Sequence, residues 1–149
     1  MHISEGILSA PVLVSGVALA AAGVMMGLKK MDSDKIPGVA VLSSVFFVAS
    51  LVHVPIGPSS VHLVVNGING LLLGWCCFPS ILVALSLQAI LFQFGGITVL
   101  GINTVNMALP GLLCYYLFSR LVNQETRAVS LASAFCCGFL SVFFSAILV

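Results

Sequence analysis

The chain reads as long apolar runs separated by short polar interruptions. Six runs stand out: about Ala10–Leu28, Pro37–Val54, Ser59 or Ser60 to Trp75, Pro79–Phe94, Asn103–Ser119 and Ala128–Val149. Crossing the hydrocarbon core of a bilayer takes about 20 predominantly apolar residues in helical form. The interruptions carry helix-ending chemistry. Pro37 suits a first helical turn, "HVPIGPSS" breaks the chain with two prolines and a glycine, Ser59 or Ser60 suits an N-cap, and Gly95-Gly96 closes the fourth run. The pattern predicts an all-α integral membrane protein, a compact bundle of about six transmembrane helices in one domain spanning residues 1–149. The last run reaches Val149 without a polar cap, so the sequence is expected to continue beyond it.

Composition agrees with this reading. Of 149 residues, 60% are hydrophobic and 6% charged, and the mean hydropathy is +1.25; soluble domains are about 25% charged. A formal net charge of +1 with no basic cluster gives nucleic acid nothing to hold. Between Ile36 and Ser119 there is no Asp, Glu, Lys or Arg. All five Lys and Arg fall in two stretches, Lys29–Lys35 and Arg120–Arg127. Alternating crossings put those stretches on one side, and the positive-inside rule makes that side cytoplasmic. Met1, the His53–His62 connection and the Gly95–Gly101 loop then lie outside, with all three histidines on one membrane face. A cleaved signal peptide ending near "ALAAA" would want a basic start, and this start is acidic and lacks lysine. Cys76, Cys77, Cys114, Cys136 and Cys137 lie in or beside apolar runs without CxxC spacing, as buried free thiols do.

The candidate chemistry begins at the first two residues of "MHISEG". His2 is large, which disfavours removal of Met1. The Met1 α-amine, the His2 amide and the His2 Nδ1 can then close a five-membered and a six-membered chelate ring on one metal. A deprotonated amide enforces a plane, the preference of Ni(II) and Cu(II), and one further imidazole would complete it. The alternative is a disordered tip. An ionisable residue at membrane depth is a functional candidate. If the third run is helical from Ser59 or Ser60, His62, Asn66 and Asn69 share one face at i, i+4, i+7 and must look into the bundle or a wet cavity. Each residue keeps a plainer reading. His62 and His53 also serve as structural hydrogen-bonding residues, and Asn66 and Asn69 as helix glue, an outer shell or a pathway. Asn103 and Asn106 fit helix–helix hydrogen bonding, and Glu5 is either an acceptor orienting an imidazole or an interfacial charge. Gly23/Gly27 and Gly70/Gly74 form GxxxG pairs suited to close helix approach.

Taken together, "MHISEG", "VHVPIGPSSVHLVVNG" and "FQFGGITVLGINTVNMALPG" resemble the CbiM/NikM family, the substrate-binding membrane components of cobalt and nickel energy-coupling-factor transporters. The likeness covers nearly the whole chain. It implies an N-terminus that folds back into the bundle from outside and a planar nitrogen site for Co²⁺ or Ni²⁺. Carried over by motif, Met1 gives its amine, His2 its backbone and side-chain nitrogens, and His62 the fourth nitrogen; no ligand role passes to His53. It further implies a transmembrane coupling subunit, cytoplasmic ATPases and a small membrane accessory subunit as partners. The setting would be a bacterial or archaeal cytoplasmic membrane, with cobalamin biosynthesis as one destination. Many family members are longer and have a further helix. The residues agree with that division of labour: no GxxxxGK[ST] loop is present, so ATP hydrolysis belongs to partners, and the transported ion is the sole inorganic species implied. The alternative class is an intramembrane metal- or haem-dependent enzyme. A protease would want HExxH or a carboxylate near the histidines, and Asp32 and Asp34 are on the other side. A vitamin-binding subunit would want an aromatic pocket, but Trp75, Tyr115 and Tyr116 are placed towards the cytoplasm.

Overall fold

A computed structural model describes residues 3–56, 59–62, 64–123 and 126–149, with the backbone alone for 53–56 and 59–62. Six α-helical segments and one hairpin are formed: α1 Ala10–Lys29, α2 Ile36–Leu51, β1 His53–Ile56, β2 Ser59–His62, α3 Asn66–Leu73, a 3₁₀ turn Gly74–Cys76, α4 Cys77–Phe92, α5 Leu100–Val122 and α6 Arg127–Leu148. The boundaries of α1, α5 and α6 fall within a few residues of the apolar runs. Among the described residues, four stretches are candidates by length and hydropathy to cross a membrane, Ala10–Lys29, Asn66–Phe92, Leu100–Val122 and Arg127–Leu148, with α2 shorter.

The expectation of about six transmembrane helices is corrected in its third member. The segment read as a helix from Ser59 or Ser60 is instead the hairpin followed by α3, which has eight residues and so rises only about 12 Å. Pro55, Gly57 and Pro58 explain the loss of helix, since two prolines within four residues remove donors and bias the backbone towards extended conformations. His53 therefore opens β1 instead of ending α2, and His62 closes β2 instead of starting a helix. The proposed face shared by His62, Asn66 and Asn69 does not exist as a helical stripe; only the two asparagines lie on α3.

The 27 residues Asn66–Phe92 do not form one straight rod. Asn69 Nδ2 donates to Ser80 Oγ at 3.4 Å although the two residues are eleven apart, a separation of about 16 Å along a single helix. The chain must reverse between them. Gly74, with φ +54° and ψ −125°, supplies a backbone conformation that a side chain would resist. Gly74 is thus the turn of this reversal rather than half of a packing pair. α3 runs parallel to α5: Asn66 meets Met107 at one end, and Gly74 faces Tyr115 at the other. A Cβ on Gly70 would overlap the Gly111 backbone, so the two helices touch main chain to main chain.

Phe46, Ile81, Leu85 and Met107 form a buried apolar core, whereas the outer helices α1 and α6 turn small residues inwards. The buried line of α1 is Gly16, Ala20, Gly23 and Gly27, and that of α6 is Ser133, Cys137, Ser141 and Ser145. Large apolar residues such as Phe135 and Leu131 face outwards at 74% and 72% exposure. Hydrocarbon solvates such side chains as well as a core does, so small residues take the contacts and let helices approach. Cys76, Cys77, Cys114 and Cys137 are buried free thiols, whereas Cys136 is exposed. At one end of the bundle Lys30 Nζ stands 5.4 Å from the Trp75 ring centroid, and Trp75 Nε1 donates to Tyr116 Oη at 2.8 Å. Asp32 and Lys35 pair at 2.8 Å at this same end. The stretches containing all five cations are therefore together.

Candidate functional site

The opposite end gathers the start of the chain. Ile3 is buried, and its backbone is clamped by one side chain 100 residues away: Ile3 N donates to Asn103 Oδ1 at 2.9 Å, and Asn103 Nδ2 donates to Ile3 O at 3.1 Å. An amide side chain that accepts from and donates to the same residue acts as a short piece of β-ladder. Both its atoms are satisfied, as burial requires.

Two residues later the chain is held again. Glu5 N donates to Gly95 O at 3.1 Å. Thr98 donates to Glu5 Oε1 through its amide at 3.0 Å and through its hydroxyl at 3.1 Å. These donors, the Thr98 amide foremost, draw the Glu5 carboxyl below its ordinary range. Gly96, at φ +119°, leaves room for that carboxylate where any Cβ would overlap it. Ser4, Glu5 and Ala89 line an open cleft of about 420 Å³ there with the 95–97 loop. Sequence reading singled out Glu5 and missed Thr98; the signal lay in "GGIT", a glycine-rich turn ending in a hydroxyl.

The interior beneath is polar. Asn66 Nδ2 donates to Ser145 Oγ at 2.8 Å and to Met107 O at 3.2 Å, while its Oδ1 accepts from Gly67 N at 3.0 Å. Ser145 Oγ in turn donates to Asn106 O at 2.9 Å. That carbonyl is free because Pro110, four residues on, has no N–H to return to it. Asn66 is thus glue joining α3, α5 and α6. Ser43 Oγ donates to Ser80 Oγ at 3.0 Å, extending the Asn69 contact to α2.

Two of the sequence-predicted ligands, Met1 and His2, lie outside the described residues. For His53 and His62 the backbone is described, and the antiparallel register sets them directly opposite each other, with Val54 opposite Val61. Sequence reading missed this juxtaposition, although "HV" and "VH" mirror one another about Gly57-Pro58. Among the described residues, no three His, Cys, Asp or Glu groups converge as a metal cluster.

A CbiM family description, "Cobalt uptake substrate-specific transmembrane region", matches residues 2–149. A putative metal transport protein of Haemophilus influenzae is 50% identical over 125 residues, covering 83% of this chain and 61% of that protein. The fused nickel transport protein NikMN of Rhodobacter capsulatus is 38% identical over 117 residues, covering 74% and 34%. The cobalt transport protein CbiM of Clostridium tetani is 31% identical over 154 residues, covering 97% and 63%. The chain thus spans between about a third and two-thirds of these relatives' lengths. A crystal structure of a transition metal transporter superposes with a TM-score of 0.85 at 27% identity, covering 99% of this chain and 67% of that one. A truncated transition metal transporter gives 0.84 at 26%, covering 99% and 72%. A multi-pass helical bundle, a start of chain locked into its interior and a match to all but the first residue lead to one conclusion: this chain belongs to the CbiM family of cobalt-uptake transmembrane proteins.

Proposed function

We propose that the chain is the substrate-binding subunit of an energy-coupling-factor importer, capturing Ni²⁺ or Co²⁺ at the outer face of a bacterial or archaeal cytoplasmic membrane. The ligands are the Met1 amine, the His2 amide and Nδ1, and an imidazole of His62. The observation that carries this reading is the two-bond clamp between Asn103 and Ile3. A residue spans at most about 3.6 Å, so Met1 N cannot stray more than about 7 Å from a buried anchor. A fixed, buried Ile3 immediately after the two candidate residues supports a chelate built from their nitrogens. The cationic end then faces the cytoplasm, and a coupling subunit, ATPases and a small accessory subunit supply the energy that this chain has no phosphate loop to harvest.

The test is to lengthen the N-terminus by one residue. Acylating the α-amine removes one of the four nitrogens, and Ni²⁺ binding measured by isothermal titration is expected to disappear while the fold is kept. Full-affinity binding by the extended chain would refute the ligand set.

A further inference from the structure

We propose that His53 and His62 form a two-imidazole capture site on the hairpin, which takes up a divalent cation and passes it to the N-terminal chelate; this rests on the uptake reading above. The starting observation is a juxtaposition. The chain has three histidines, and the antiparallel register of β1 and β2 makes two of them, His53 and His62, direct cross-strand partners. Direct partners share one face of the ribbon, with Cα atoms about 4.5–5.5 Å apart.

The pair belongs to the end of the bundle where the chain starts. α2 leaves the cationic end next to Lys35 and makes a single pass before β1 begins, so the hairpin lies at the opposite end. After β2, four residues lead from His62 to Asn66, a reach of at most about 14 Å. Asn66 donates to Met107 O. Met107 is about 6 Å along α5 from Asn103, the residue that grips Ile3. Hairpin and chain start are thus tethered to neighbouring turns of one helix.

A purely structural role gives this pairing little. Imidazolium groups on directly paired residues repel, and like charges at such positions destabilise a ribbon. A bound dication keeps both rings neutral and removes that repulsion, and imidazole suits Ni²⁺. A cation held by one ring meets the other at high effective concentration, so the pair grips it better than either alone.

The planar chelate also needs a precursor. The Met1 ammonium and the His2 amide must each give a proton to water before their nitrogens can bind. A dication already held by two neutral imidazoles stays near the chain start while they do so. As the amine, the amide and His2 Nδ1 bind, His53 leaves as neutral imidazole and His62 remains as the fourth nitrogen. No electron changes hands.

The test is stopped-flow loading of Ni²⁺ into the full chain in detergent, followed by the visible absorbance of planar nickel, with His53→Ala and His53→Gln. Affinity, release into excess chelator and melting of the metal-free chain are read alongside. Both variants are expected to load at least tenfold more slowly, with affinity lowered no more than threefold. Release must then slow at least threefold, since affinity is the ratio of the two rates. Loading within twofold of wild type by either variant overturns the capture role; in His53→Gln it marks a hydrogen-bonding residue. Faster release also overturns it, because that marks a permanent ligand. So does a melting temperature lowered in both variants, the sign of a structural residue. A wild-type chain that binds no Ni²⁺ sinks the uptake reading and this one with it, whereas normal wild-type binding with unaltered variant loading sinks the capture role alone.

Discussion

Asn103 makes Ile3 a fixed structural element. Two buried hydrogen bonds at about 1 kcal/mol each, with a further penalty for the groups left unpaired, make Asn103→Leu worth about 2–3 kcal/mol of N-terminal ordering. Nickel affinity should fall by tenfold or more, measured by titration, with helical content unchanged. Glu5 gives a pH-dependent counterpart. Its carboxyl is drawn below the usual value by Thr98, so its hold on the loop is complete above the unfolded-state pKa and is lost as pH falls through the lower folded-state one. Imidazole and α-amine ligands protonate below about pH 6.5 to 8. Between pH 7 and 5, nickel should therefore dissociate while Glu5 stays engaged. Metal release followed alongside amide exchange at Thr98 checks the order, and simultaneous loss would mean that metal release is coupled to opening of the latch. At this scale the sequence marked His2, Glu5, Asn66, Asn69 and Asn103, because polar groups in an apolar chain are conspicuous. It could not show which amides were satisfied. That depends on partners up to 100 residues away.

Among the elements, α3 depends on contact without side chains. Gly70→Ala places a methyl into the Gly111 backbone, where neither partner can rotate aside, and overpacking of this kind costs about 1–3 kcal/mol. Gly38→Ala is the control, since nothing lies within 4 Å of a Cβ there. The Gly70 variant should melt several degrees lower in detergent and the Gly38 variant should not. The helices α1, α5 and α6 were legible because an uninterrupted apolar run of about 20 residues has few other fates. The hairpin was not, because hydropathy counts residues and ignores backbone form. Val54, Ile56 and Val61 around Pro55 and Pro58 count as apolar whether they coil, pair or wind. The mirrored "HV…VH" was the local sign that they pair. The reversal was legible as the break between the runs ending at Trp75 and starting at Pro79; that Gly74 itself makes the turn was not, because no polar residue marks it.

For the whole molecule, the distribution of charge predicts an orientation. The stretches holding Lys29–Lys35 and Arg120–Arg127 meet at one end, as a bundle with alternating passes requires. A cysteine introduced at exposed Ser33 should react with a membrane-impermeant maleimide in inverted vesicles and stay unlabelled in right-side-out ones; the opposite pattern would put the N-terminal end in the cytoplasm. A multi-pass helical bundle was legible from run lengths, although not the number of crossings, and the family was legible from its motifs. The interior polar network was only partly legible, because helix rotation about its axis is set by neighbours rather than by an amphipathic stripe in a chain that is apolar all round.

The eight-residue α3 bears on how such a protein is made. Insertion machinery releases segments into lipid according to their apolar length, and a polar hairpin with a two-turn helix has too little to partition alone. Among the described residues, Asn66 finds its acceptors on α5 and α6, which emerge from the ribosome later. That crossing is therefore expected to wait at the membrane surface and be drawn in last, so that synthesis order and assembly order differ along this chain.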